Sequence, residues 1–330
     1  MNRRWQFWAG IAISVAALAL ALLGIDPQQA VTALEQARYV YLIPAAGLFL
    51  LYLLARSIRW RLLLGPATSL ARCFWVTAIG YMVSNILPFR LGDPARAIVI
   101  GLGGEVAVST ALSTVVVERV LDMLVVVLVL AGIAPFVSEA ANVAQAGWIA
   151  GGLAAIALLG LVVLAFHPHW GQRAVRRALE KISPANTERW EAAWEGFLAG
   201  LAPLRSGRRS LTLFGWSLVT WACATAFYWS ILQAILPHPP VLAAPFLVCV
   251  LGLGMAIPSS PGAVGVFHAI ARYGLAGPFG VPTDQAISAA FVLHTFQYLA
   301  IWVLGPIGLL REGISLAWLW RKASTLKEVQ

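Results

Sequence analysis

A helix-breaking stretch, Asn85-x-x-Pro88-x-Arg90-x-Gly92-Asp93-x-x-Arg96, places two guanidinium groups beside a carboxylate and a carboxamide. Arg90 and Arg96 are suited to phosphate oxygens, which they bind through charge-assisted and often bidentate hydrogen bonds. Asp93 balances that charge when no anion is present, and the same residues would also serve as a plain Arg–Asp anchor for a loop. A second group, Glu118-Arg119-x-x-Asp122, lies within an otherwise apolar run. At i,i+4 Glu118 and Asp122 share a helix face, and at i,i+3 Arg119 can pair with Asp122. The third is Pro258-Ser259-Ser260-Pro261-Gly262-Ala263-Val264-Gly265, where hydroxyls and unpaired backbone groups would line a polar niche. A helix resuming near Val264 would direct its positive N-terminal end at an anion.

Weaker signals surround these three. His294 and Gln297 stand at i,i+3, and Arg272 follows the glycine-rich stretch. A lone histidine in an apolar helix more often bonds a neighbouring helix than binds a ligand. Cys73, Cys223 and Cys249 sit in or beside apolar runs without metal-ligand or disulfide spacing. No GxxxxGK[ST], HExxH or GxSxG pattern occurs. The expectation is therefore no catalytic residue, no metal, no cofactor and no enzyme.

The elements that carry these groups must be membrane helices. The 330 residues are 60% hydrophobic and 11% charged, with mean hydropathy +0.81, and apolar stretches recur along the whole chain. A soluble domain carries about 25% charged residues. The net charge of +9 fits basic loops on one side of a membrane, and no soluble segment is long enough for a nucleic-acid-binding fold.

Six runs are long enough to span: 6–25, 40–55 extending toward Leu64, 114–136, 147–166, 210–236 and 284–310. Arg3 and Arg4 place the N-terminus in the cytoplasm, with 26–38 as an outer loop. The basic loop 167–209 and the tail with Arg311, Arg321, Lys322 and Lys327 then lie inside. Two apolar runs, 73–88 and 241–257, are shorter, and by parity the segments 73–88 and 241–280 must each start and end on one side. They are expected to be re-entrant hairpins entering from opposite faces, with the stretch bearing Arg90 and Arg96 inside. Eight full spans, with 94–113 crossing, is the alternative; it would drive Arg96 and Glu105 through lipid. Residues 186–201 space Trp190, Trp194, Phe197, Leu198 and Leu201 as an amphipathic helix on the inner leaflet.

In order and spacing, Arg56-x-x-Arg59-Trp60, the Asn85–Arg96 motif, Glu118-Arg119-x-x-Asp122 and Pro258–Gly265 resemble the lysylphosphatidylglycerol synthase transmembrane-region family of flippase-like proteins. The resemblance runs over nearly the whole chain and implies a single flippase-like domain, 1–330, in a bacterial or archaeal cytoplasmic membrane. In two-domain members this region precedes an aminoacyltransferase domain, which is not expected here because the chain ends soon after its last span. What the resemblance implies is movement of an anionic phospholipid or polyprenyl-phosphate-linked lipid between leaflets. Asn85, Arg90, Asp93, Arg96, Glu118, Arg119, Asp122, Ser259, Ser260, Gly262 and Gly265 would line the path. The family's acidic residue after the second glycine motif is replaced here by Val266-Phe267-His268, which disfavours a lysyl-lipid. Two other readings stay open: an integral-membrane transferase acting on a lipid phosphate, and an accessory subunit that anchors envelope-synthesis enzymes. Membrane lipids are the expected partners, and nucleic acid is not.

Overall fold

The computed structural model describes residues 3–87, 91–137, 140–169, 171–172, 187–254, 260–316 and 318, and among these there is no β-strand. Arg90 and Ser259 lie outside the described residues, as do 173–186 and the basic tail from 319. The protein is an all-α membrane protein.

Six long helices fall where the apolar runs are: α1 (Arg3–Leu22), α3 (Leu42–Leu64), α6 (Val108–Ile133), α7 (Ala140–Phe166), α9 (Gly207–Ile235) and α12 (Thr283–Glu312). By length and composition, three helical stretches among the described residues qualify outright as spans: Tyr39–Leu64, Gly207–Ile235 and Thr283–Glu312. A fourth arises if α1 and α2 (Pro27–Glu35), bent by 83°, count as one. That second helix lies within the segment 26–38 expected to connect the first two spans. Asp26 starts it by accepting from Gln28 N at 2.9 Å, and Pro27 takes the first helical position, where no N–H is needed.

Two helix pairs are broken at their tips. In the first, α4 (Leu70–Ile86) is capped by Ser69 and stops before Pro88, and α5 (Gly92–Gly101) runs back along it. The return arm is α5, whereas the sequence placed the whole hairpin in 73–88 and Arg96 in a cytoplasmic loop. Sixteen residues are too few for two arms, and α5 buries Ala95, Arg96 and Ala97 through Ile100. Contact at the crossing is backbone to backbone. A Cβ on Gly80 would stand 3.0 Å from the Gly92 carbonyl, and one on Gly92 would overlap the Gly80 carbonyl and Ser84. In the second pair, α10 (Ala243–Gly254) and α11 (Val266–Phe279) pack with Gly274 against Val250 and Gly254 against Ile270. At about 1.5 Å rise per residue, α5 and α10 reach only about 15–18 Å, short of the ~30 Å hydrocarbon core.

Connectivity sets the hairpins on opposite faces. Arg72, at the start of α4, binds Glu105 after α5 (3.3 Å) and Glu312 at the end of α12 (3.1 Å). At the other face, Arg272 of α11 donates to the terminal carbonyls of α1, reaching Leu20 O at 2.6 Å. Arg38 does the same for the end of α9, reaching Gln233 O at 2.8 Å. Arg272 and Arg38 thus cap the C-terminal ends of these two helices.

The core lies where α3 runs along α9, with Phe49, Leu53, Phe227 and Ile231 buried beside Leu247 and Leu293. Outward, Ile43, Leu299 and Leu310 are exposed, as befits helices solvated by lipid. The predicted amphipathic helix exists as α8 (Thr187–Ala199); of its apolar residues Trp190 is exposed, while Trp194, Phe197 and Leu198 pack on protein. Thr110 of α6 donates to Gly196 O at 2.8 Å, and Leu198 and Leu201 join a buried cluster with Leu63 and Leu213. Gly196 and Gly200, with no side chain to clash against Ser109, Thr110 and Ser113, permit this contact.

Candidate functional site: a charged cavity between the hairpins

The tips of the two hairpins converge near the middle of the 30-residue α12. Tyr298 donates to Asn85 O at 3.4 Å, and His294 Nε2 lies 3.0 Å from Gly262 O. Gly262 adopts φ +69°, and a Cβ there would overlap the Tyr298 hydroxyl. Only glycine serves both the backbone turn and the close approach.

Between the tips and helices α3, α6, α9 and α12 is a cavity of about 510 Å³. One wall is polar: Arg56, Tyr81, Asn85, Arg119 and Asp122. Another is apolar, with Phe49, Phe227, Val126 and Leu251. The combination suits an amphiphile.

Behind the polar wall is an ion-pair network. Arg59, fully buried, donates through Nη1 to Asp122 Oδ1 (2.6 Å) and Ser217 Oγ (2.9 Å), and through Nη2 to Glu118 Oε1 (3.2 Å). Arg56 Nη1 is 3.4 Å from the other Asp122 oxygen, and the Trp221 indole N–H donates to Asp122 at 3.2 Å. Arg96 pairs with Glu118, lies 4.6 Å above the Trp60 ring and stands 3.4 Å from Asp93. Arg119 donates to Asp93 Oδ2 from Nε (2.8 Å) and Nη2 (2.5 Å). Its i,i+3 neighbour Asp122 is farther, at 3.9 Å. Charges in a low-dielectric interior are tolerable only when paired in this way.

The arrangement has four guanidinium groups, Arg56, Arg59, Arg96 and Arg119, against three carboxylates, Asp93, Glu118 and Asp122. One positive charge is left over among the described residues. Nε and Nη1 of Arg96, though buried, have no hydrogen-bond acceptor. Arg119 has 42% of its side chain exposed and is the most accessible cation on the wall.

Of the residues singled out from sequence, Asn85, Arg119, Asp122, Ser260 and Gly262 line the cavity, and Asp93 holds Arg119. Glu118 and Arg96 stand behind the wall. Gly265, the N-cap of α11, packs against Ser14 and Leu18 of α1, and its N–H meets His268 Nδ1 at 3.3 Å. Arg56 and Arg59 carry part of the family resemblance but were not among the residues expected to line the path. They sit instead at the centre of the network, four and zero per cent exposed. Their signal was an i,i+3 arginine pair inside an apolar run.

Fold and site together define a polytopic membrane protein with a charged cavity between two broken helix pairs. Residues 7–305 match the family described as Lysylphosphatidylglycerol synthase TM region, and the chain belongs to that family. It is also similar to Glycosyltransferase AglD of Haloferax volcanii, at 26% identity across 93% of this chain and 54% of the relative. The chain spans about half the length of the curated relative it matches. No solved structure matches it. These findings give the chain a membrane, lipid-related function. They also correct the expectation of a non-enzyme, since the relative bears an enzyme's name.

Proposed function

We propose that the chain binds the phosphate headgroup of an anionic phospholipid or polyprenyl-phosphate-linked lipid in the charged cavity and moves it between leaflets of the cytoplasmic membrane. The excess of guanidinium over carboxylate at the cavity wall carries this reading. Arg119 takes the phosphate first, exchanging part of its contact with Asp93 for phosphate oxygens. Arg56, on the same wall, completes the contact, with Arg59 and Arg96 fixing the carboxylates behind it. The only cavity-lining carboxylate among the described residues, Asp122, is already engaged by Arg59, Arg56 and Trp221, so no free acid remains for a cationic headgroup. The basic face is cytoplasmic, with both termini on that side.

A second reading has the same phosphate as the acceptor in a glycosyl transfer. The name of the archaeal relative favours it. There the cavity presents lipid to a catalytic partner or domain, and binding by Arg119 is common to both.

The two are separated by reconstituting the purified protein in liposomes with fluorescent phosphatidylglycerol, phosphatidylcholine and polyprenyl phosphate. Leaflet exchange of the anionic lipids above the rate in empty liposomes is expected. Equal rates across the panel would reject translocation, and sugar appearing on the lipid when nucleotide-sugars are added would favour transfer.

A further inference from the structure

A second hollow, of about 610 Å³, opens between α6, α9 and α10. Val125, Val129, Ala222, Ala226 and Pro245 shape it, and Thr225 supplies its one hydroxyl. Such a lining offers water almost no hydrogen-bond partners. Its place in the fold gives it meaning. Trp221 and Val248 line both this groove and the charged cavity, so the two spaces are divided by a single layer of side chains. Trp221 is pinned at one edge by its indole N–H to Asp122, 3.2 Å away. Its ring lies over Gly252, where a Cβ would come within 3.0 Å. The partition is therefore Trp221 together with Val248, the tryptophan held by the charged network on one side and seated on a glycine on the other.

We infer that this groove holds the apolar chain of the lipid whose phosphate is bound in the charged cavity, with Trp221 at the junction of head and tail. The inference rests on the phosphate-binding reading above and adds to it a built site for the chain. A headgroup on Arg119 must send its chain out of the cavity, and by passing the single layer of Trp221 and Val248 the chain reaches the apolar groove directly beyond it. Headgroup and chain then occupy adjoining compartments of matched polarity. Lipid recognition accordingly includes the chain, and lipids with the same phosphate but different chains are handled differently.

The test uses the full chain in phosphatidylcholine nanodiscs doped with phosphatidylglycerol or polyprenyl phosphate carrying a photoactivatable diazirine at mid-chain. A diazirine-bearing phosphatidylcholine reports ordinary boundary lipid. After irradiation, adducts from the anionic probes are expected to concentrate on peptides containing residues 125–129 and 222–226. Ala226→Trp and, from the facing helix, Val129→Trp fill the groove. Each is expected to abolish that enrichment and slow leaflet exchange at least about tenfold, while binding of water-soluble glycerol phosphate stays as in the unaltered protein. Identical labelling by anionic and phosphatidylcholine probes would overturn the inference. So would enrichment that survives both tryptophan variants, or cross-links between Ala226→Cys copies showing that a second protein occupies the groove. Failure of the two readings is distinguishable. Groove labelling without leaflet exchange removes translocation and keeps the chain site. Exchange at the unaltered rate in both tryptophan variants removes the chain site and keeps translocation.

Discussion

Arg59 of α3 and Asp122 of α6 meet at 2.6 Å, with the arginine wholly withdrawn from solvent. The same guanidinium reaches Glu118 one turn earlier on α6. A single side chain thus ties two helices through both carboxylates of the Glu118–Asp122 face. Asp122→Asn leaves that charge short of a partner, and the expected loss of stability is about 3–5 kcal/mol. Arg59→Met combined with Asp122→Leu removes charge from both sides and keeps Arg96 opposite Glu118. Thermal unfolding in detergent should find the double variant more stable than Asp122→Asn. A pair no better than the single would mean that the ion pair is not what joins these helices.

The close approaches at the hairpin tips predict unequal penalties for glycine. Gly262 (φ +69°) and Gly104 (φ +72°) have similar backbones, but only Gly262 faces an obstacle, the Tyr298 hydroxyl. Gly104→Ala carries the strain of positive φ alone, and Gly262→Ala adds a collision that must displace Tyr298 from Asn85. Both should destabilise by more than about 1 kcal/mol, Gly262→Ala the more. Unfolding midpoints of the two variants check the order; equal shifts would remove the Tyr298 contact from the account.

Much of this architecture is legible in the chain, and the limits are physical. Apolar length alone located α1, α3, α7, α9 and α12, because a membrane helix must be long and apolar whatever it packs against. The start of α6 was missed by six residues, since Val108-Ser-Thr reads as loop until its burial against α8 is known. Motifs within one helix were readable because i,i+3 and i,i+4 spacing is local. The Arg59–Glu118 and Arg119–Asp93 pairings join separate helices, and no local spacing encodes them. For the same reason Arg96 was expected in a stretch on the cytoplasmic side rather than on a buried return arm. Its partner Glu118 and the Trp60 ring that it covers come from other elements.

The hairpins predict sidedness. In a background with Cys73, Cys223 and Cys249 replaced, Ala67→Cys and Leu102→Cys flank the first hairpin, and His238→Cys and Pro282→Cys flank the second. An impermeant thiol reagent should label the first two only from the cytoplasmic side and the last two only from outside. Opposite labelling of Ala67→Cys and Leu102→Cys would break the hairpin topology.

The central claim is that the wall bearing Arg119 binds a lipid phosphate. Its most direct test is equilibrium binding of fluorescent phosphatidylglycerol and polyprenyl phosphate to the purified protein, compared with Arg119→Ala. Loss of a charge-assisted hydrogen bond of about 1.5–3 kcal/mol corresponds to a roughly ten- to hundredfold weaker complex, with binding of phosphatidylcholine unchanged. Equal affinity of the two proteins for both anionic lipids would contradict the account.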